Sequence, residues 1–306
     1  MKKRIIVLLI TLLTLSGCTL SSDPIVTDAT IIHDLGTTEV MTNPKKVVVF
    51  DLGVLETLDA LDIDVAAVPK SNITSNLQKF NDSMYVNAGT LFEPDFETLY
   101  TLSPDLIIIS GRAATHYEEL SKIAPTIFMG LNNEDFLGSF TKNMQTLATI
   151  FPDAQNKINE KLNDYQKAVN EALVMTKAST QTVMMLLVNG NSLSVFGQGG
   201  RFGFMFNELK LTPIQANIEA SSHGMEISFE FIARENPDVI YVMDRGQIVG
   251  SETSAKQLLD NDIVNQSNAA RNNRIVYVDP EAWYITIGGL NSNLKILEEV
   301  LSAFSN

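Results

Sequence analysis

The segment Phe96-Glu97-Thr-Leu-Tyr-Thr-Leu-Ser-Pro104-Asp105-Leu-Ile107 returns as Phe229-Glu230-Phe-Ile-Ala-Arg-Glu-Asn-Pro237-Asp238-Val-Ile240, at a constant offset of 133 residues. Each copy reads as a short helix carrying an early Glu, a Pro-Asp turn that a helix cannot continue through, and then an apolar strand. Two copies of one such unit predict two similar lobes. Outward from them, short β-rich runs recur at 47–50, 106–109, 183–188, 239–242 and 275–278, each followed by a turn and a helical stretch. Near-continuous apolar strands alternating with helices predict an α/β fold whose parallel sheets are covered on both faces.

The stretch 132–178 contains no strand pattern. Within it Ile158, Leu162, Tyr165, Val169 and Leu173 recur at helical spacing, and Pro152-Asp153 is a suitable helix start. The expected organisation is a first lobe at 43–143, a linker helix at 144–179, and a second lobe at 180–306 ending in a helix over about 290–304. One stiff connector predicts modest closure of the lobes.

The N-terminus bears on compartment. Lys2, Lys3 and Arg4 precede an apolar run from Ile5 to Leu15, which ends in Leu15-Ser16-Gly17-Cys18. The run is too short for a permanent span, and the ending resembles the lipobox of bacterial lipoproteins. The expectation is a signal peptide at 1–17, a lipidated Cys18, and a polar tether to about residue 42, leaving the body lipid-anchored on the outer face of the cell membrane. The 306 residues hold 22 Lys+Arg against 36 Asp+Glu, a net charge of −14, and 45% are hydrophobic. That composition is globular, and its acidity excludes nucleic acid as a partner. With Cys18 committed to lipid and three His in all, no disulfide framework or cysteine zinc cluster is expected.

Beyond the signal peptide the chain has six Arg, and three follow predicted strands: Arg112 after 106–111, Arg201 after 193–200, and Arg245 after 239–244. Ligands of open α/β sheets bind beyond the carboxyl ends of strands, so these guanidinium groups are candidates for one crevice. Their fixed donors suit flat, oxygen-rich anions. The glycines of Gly197-Gln-Gly-Gly-Arg-Phe-Gly203 lack the phosphate-loop ending and the dinucleotide spacing, so they are read as a turn that brings Arg201 into the cleft. His223, in Ser221-Ser-His-Gly224, and Tyr284, in Ala282-Trp-Tyr-Ile285, are of a kind to coordinate ferric iron. His33 and His116 are read as surface positions. The mature body has no Gly-x-Ser-x-Gly elbow, no His-Glu-x-x-His and no free Cys, so no enzyme is expected.

From about Asn43 to the C-terminal helix, the chain resembles the class III periplasmic-type binding proteins that serve iron-siderophore ABC importers. It is most similar to the catecholate-siderophore lipoproteins of the petrobactin and enterobactin type. The carrying segments are Val86 to Glu97, Pro104 to Arg112, Phe196 to Gly203 and Trp283 to Gly289. The resemblance implies two Rossmann-like lobes joined by one long rigid helix, with the ligand between them. It implies that Arg112, Arg201 and Arg245 hold an anionic ferric catecholate. It implies that His223 and Tyr284 complete the iron shell of a tetradentate complex, and that Glu97 and Glu230 dock on an ABC permease dimer with its ATPase. No intrinsic cofactor is implied, the ferric siderophore being cargo, and the protein is expected to be a monomer. The same fold binding haem or a cobalamin is the alternative.

Overall fold

The computed structural model describes residues 28–221 and 223–304. The expected signal peptide, Cys18 and the first part of the expected tether lie outside the described residues. The strands are β1 Asp28–His33, β2 Gly36–Met41, β3 Val47–Val49, β4 Ala67–Val68, β5 Val86–Asn87, β6 Leu106–Ile109 and β7 Thr126–Phe128 in the first half. The second half holds β8 Thr182–Asn189, β9 Ser192–Phe196, β10 Thr212–Pro213, β11 Met225–Ile227, β12 Val239–Asp244 and β13 Ile275–Val278.

The first lobe is a parallel sheet of order β5-β4-β3-β6-β7. Period-2 alternation divides its residues between two faces. Val47, Val49, Leu106 and Ile108 enter the large core shared with the second lobe, while Val48, Phe50, Ile107 and Ile109 face a smaller outer core. The second sheet is mixed, of order β11-β9-β8-β12-β13, with β10 also beside β8. Its central pair β8 and β12 is parallel, but β9 folds back on β8 as an antiparallel hairpin through Gly190 at φ +60°. Val183, Met185, Tyr241 and Met243 join the shared core, and Met184, Leu186, Ile240 and Val242 the outer one.

The repeated segment occupies the same place in each lobe. Phe96–Leu102 and Phe229–Glu235 are both seven-residue helices, ended by Ser103 at φ 48° and Asn236 at φ 46°. The following Asp then ties down the start of the neighbouring strand. Asp105 Oδ2 accepts the amides of Lys45 and Lys46 at 2.8 Å, and Asp238 Oδ2 accepts the Thr182 amide at 3.0 Å. The strands that follow, β6 and β12, each lie one in from an edge of their sheets.

Three expectations are corrected. The span 144–179 contains two helices, because Phe136–Ile150 stops before Pro152 and a short turn precedes the long helix Gln155–Ala178. The first of these belongs with the first lobe. The long helix buries Ile158, Tyr165, Val169 and Ala172 in the shared core. The tether stops earlier than residue 42, since 28–41 form the hairpin β1–β2. Ile31 and Val40 are buried there, and the Thr38 hydroxyl donates to the Thr126 carbonyl of β7 at 2.8 Å. His33 is accordingly not a surface residue: it is 8% exposed, bonded to Thr38, and lies edge-on to Tyr117. Burial holds its pKa below the ordinary histidine value, against the pull of Asp34. His116 is also engaged, through Nε2 to the Phe92 carbonyl at 2.9 Å and an edge contact with Phe96.

Candidate ligand-binding cleft

Tyr284 lies on a wide turn, Glu281–Ile285, that follows β13. Asp279 Oδ1 begins the turn by accepting the amides of Glu281 at 2.8 Å and Ala282 at 3.2 Å. Trp283 anchors it. The indole is fully buried, packs near the rings of Phe202, Phe204 and Tyr241, and donates Nε1 to Glu299 Oε2 at 2.6 Å. Glu299 sits on the C-terminal helix Leu290–Ser302, and burial raises its carboxyl pKa against the pull of that bond. A buried aromatic of this size gives the turn a fixed seat in the core.

Three guanidinium groups meet at this tyrosine. Arg112, two residues past Ser110 at the end of the β6 run, donates Nη2 to the Tyr284 carbonyl at 2.7 Å. Arg245, directly after β12, donates Nε to the Tyr284 hydroxyl at 3.2 Å and Nη1 to Asn189 Oδ1 at 3.0 Å. Arg201 lays its guanidinium over the Tyr284 ring, 4.5 Å from the centroid, and Arg245 stands 5.7 Å from it. Among the described residues none of the three pairs with a carboxylate. Burial lowers the Arg201 pKa and Arg112 and Arg245 push the same way, while Tyr284 opposes them. The result is concentrated positive charge without an internal counterion, in a chain of net charge −14.

The glycines of the loop that carries Arg201 serve close approach rather than a left-handed backbone. None of Gly197, Gly199, Gly200 and Gly203 has a positive φ. They are required by close approach: a Cβ on Gly203 would stand 2.2 Å from the Gln198 carbonyl oxygen, and one on Gly199 would stand 2.6 Å from the Ala220 Cβ.

Arg112 and Arg201 line a cleft of about 510 Å3 with Asp51, Ser110 and Asn143 as further polar groups. Its wall on the first lobe is apolar: Val54, Phe92, Met129, Leu131 and Phe136. Asp51 is committed elsewhere, since Oδ1 caps the helix Leu52–Ala60 through the Val54 amide and Oδ2 accepts the Ser110 hydroxyl. His223 lies apart from this group. It is exposed, and among the described residues its one bond is from its amide to the Ser221 hydroxyl. The segment leading to it runs along the Arg201 loop, through the approaches of Ile218 to Gly197 and Ala220 to Gly199. Glu97 and Glu230 are exposed in the first turns of the paired helices. The Ser228 hydroxyl and a helix amide hold Glu230 below the usual carboxyl range.

Sequence reasoning passed over Asn189 and the apolar wall. Asn189 is a polar residue closing an otherwise apolar strand, the same strand-end position that marked the arginines. The wall residues have no such mark, because apolar side chains in loops and first helical turns read as core.

The lobes are pinned together at several points. Glu208 accepts the amides of Phe136 and Leu137 at 2.8 Å, and Phe136 stacks on Phe204 at 4.5 Å. Glu56, from the first-lobe helix, is 2% exposed and accepts Ser292 N and Oγ at 2.8 Å and Asn76 Nδ2 at 2.7 Å. Burial raises its carboxyl pKa, and these donors oppose the shift.

The sequence profile described as "Periplasmic binding protein" matches residues 47–282. The petrobactin-binding protein YclQ of Bacillus subtilis is 39% identical over 269 residues, covering 87% of this chain and 84% of that protein. Its crystal structure superposes with a TM-score of 0.87, covering 92% of this chain and 99% of the other. The ferric-anguibactin-binding protein FatB of Vibrio anguillarum is 29% identical, covering 96% and 95%. The catecholate-siderophore binding protein VctP of Vibrio cholerae is 32% identical in structure comparison, with a TM-score of 0.84 and coverage of 90% and 100%.

Proposed function

Because the chain belongs to the periplasmic binding protein family, we propose that it captures an anionic ferric catecholate siderophore outside the cytoplasm and delivers it to an ABC importer for iron uptake. Proteins of this family bind substrates and are not enzymes, and this chain is one of them. The observation that carries the catecholate reading is the meeting of Arg112, Arg201 and Arg245 at Tyr284 with no carboxylate among their partners. A ferric complex of two or three catecholates spreads negative charge over its oxygens, and forked guanidinium donors match such a ligand. The acidic remainder of the surface repels it, so attraction is confined to the cleft. The apolar wall of Val54, Phe92, Met129, Leu131 and Phe136 suits the aromatic rings.

In this reading Tyr284 and His223 fill iron positions that a tetradentate siderophore leaves open, His223 reaching in on its exposed loop. Cys18 carries a lipid anchor that holds a monomeric protein at the membrane face. No helix among the described residues is long and apolar enough to cross a membrane. Glu97 and Glu230 meet the two halves of the permease, one from each lobe. Their matching places on the paired helices support this use.

The test is a titration followed through the fluorescence of Trp283, the one tryptophan of the chain, which lies beside Tyr284. Ferric bis- and tris-catecholates are expected to quench it and to keep their broad visible charge-transfer band. Haem or a cobalamin binding more tightly than every ferric catecholate tried would overturn the assignment.

A further inference from the structure

Tyr284 is held from two sides, and the two holds differ in what a ligand would do to them. On the second-lobe side its turn is fixed by the buried Trp283, by Glu299 and by Asp279. On the first-lobe side Thr57 and Glu56 hold the chain beyond the turn, at Leu290 and Ser292, and two hydrogen-bonded contacts reach the turn itself. One is the Arg112 bond to the Tyr284 carbonyl. The other lies at the start of the turn, where Glu281 takes the amide of Ser75 on both carboxylate oxygens at 3.1 Å and the Ser75 hydroxyl on Oε2 at 2.5 Å. Glu281 and Ser75 are 206 residues apart, so the contact joins the lobes.

An anionic ligand would compete for Arg112, since guanidinium donors prefer a charged oxygen to a peptide carbonyl. The Glu281–Ser75 contact uses no cleft cation and has nothing to exchange with such a ligand. We propose that Glu281 is a positioning residue: it keeps the Tyr284 turn registered on the first lobe while Arg112 turns to the ligand, and so sets the protein's preference for iron complexes with open coordination positions. This rests on the ferric catecholate reading of the cleft. A carboxylate accepting an amide and a hydroxyl of one residue fixes direction as well as distance. A displaced turn would carry the phenol away from iron, and small misplacements at a reacting atom are costly. The carboxylate itself touches neither cargo nor arginine. Its effect should therefore appear only through Tyr284.

The probes are the ferric complexes of a linear bis(2,3-dihydroxybenzamide), which leaves two iron positions open, and of a tris(2,3-dihydroxybenzamide), which leaves none. Glu281→Ala is expected to weaken the bis complex by about three- to tenfold, the net scale of one ordinary hydrogen bond since the effect is relayed through Tyr284, and to shift its charge-transfer band towards that of the same complex with Tyr284→Phe. The tris complex is expected to stay within about twofold. Glu281→Gln removes the charge but keeps an acceptor for Ser75, so it is expected to recover most of the loss. In a Tyr284→Phe background Glu281→Ala should add nothing. Equal losses on both probes, additivity with Tyr284→Phe, or no effect of Glu281→Ala while the wild type binds would each overturn the positioning role alone. A wild type that binds neither probe would overturn it together with the reading of the cleft.

Discussion

The two lobes share one construction unit and divide the work of the cleft unequally. Each has a seven-residue helix with an exposed Glu, a left-handed cap, an Asp that ties the neighbouring strand, and an interior parallel strand one in from the sheet edge. Yet Arg112 and the apolar wall come from the first lobe, while Arg201, which lines the same cleft, and its neighbours Arg245 and Tyr284 come from the second. The cause is topological. The first sheet is wholly parallel, whereas the second inserts the hairpin β8–β9, and the tight glycine loop after β9 carries Arg201. Where the lobes agree, they place Glu97 and Glu230 at equivalent positions on the paired helices. Where they differ, they build one asymmetric pocket.

The largest expected effect breaks the symmetric half of this comparison. Changing Glu97 and Glu230 together to Ala should leave ferric catecholate affinity unchanged and stop iron uptake by cells, with each single change intermediate. Uptake at the wild-type rate by the double variant, at normal surface abundance, would falsify the docking role. Next come the arginines. Each Arg→Ala change should weaken ligand binding by about 1–3 kcal/mol, the range for hydrogen bonds to charged groups. Arg201, stacked on the Tyr284 ring, and Arg245, bonded to its hydroxyl, should cost more than Arg112, which bonds only the Tyr284 backbone carbonyl. A titration in which Arg112→Ala is the weakest binder would reverse this asymmetry.

Much of the fold was legible because its signals are local. The apolar runs at 106–109 and 239–242 lie in the strands β6 and β12, and the constant offset of 133 residues pointed to paired units. The arginines stood out because strand ends in α/β sheets face the crevice, and three cations at such places are conspicuous in an acidic chain. What was hidden depends on contacts between distant segments. The hairpin at 28–41 has modest alternation, and its burial comes from packing on β7. His33 is buried for the same reason. Glu281 gave no local sign at all, because its partner Ser75 lies in the other lobe. The break before the long helix is readable at Pro152, but no breaker near residue 144 separates the helix ahead of it from the linker.

The asymmetric half is sharpened by ligand denticity. Tyr284→Phe removes the hydroxyl that accepts from Arg245 but keeps the ring under Arg201. Affinity for a tetradentate ferric catecholate should fall by about tenfold or more, as for loss of a charged hydrogen bond or coordinate bond. A hexadentate complex should lose much less, and His223→Ala should follow the same pattern. Equal losses on both ligand classes, measured by fluorescence titration, would remove both residues from the iron shell.

The smallest effect returns to the shared unit and concerns stability alone. Asp105 and Asp238 hold equivalent places, but Asp238 accepts both the amide and the hydroxyl of Thr182 at 3.0 Å and also takes Asn268 Nδ2 at 3.2 Å. The Thr182 amide first, helped by its hydroxyl, by Asn268 and by the Arg274 charge, holds the Asp238 carboxyl below the ordinary aspartate value. The folded state therefore binds this proton less readily than the unfolded chain does. Its stabilisation is complete above the ordinary range, about pH 4, and is lost as the pH falls through the depressed folded value. The site is open to solvent, so the screened contribution is small, and Asp238→Asn should cost about 0.5–1 kcal/mol at neutral pH. Urea unfolding of the wild type and the variant should give curves that separate at pH 7 and draw together on acidification below about pH 4. A gap that is constant or widens in acid would mean that Asp238 acts by packing rather than as a charged acceptor.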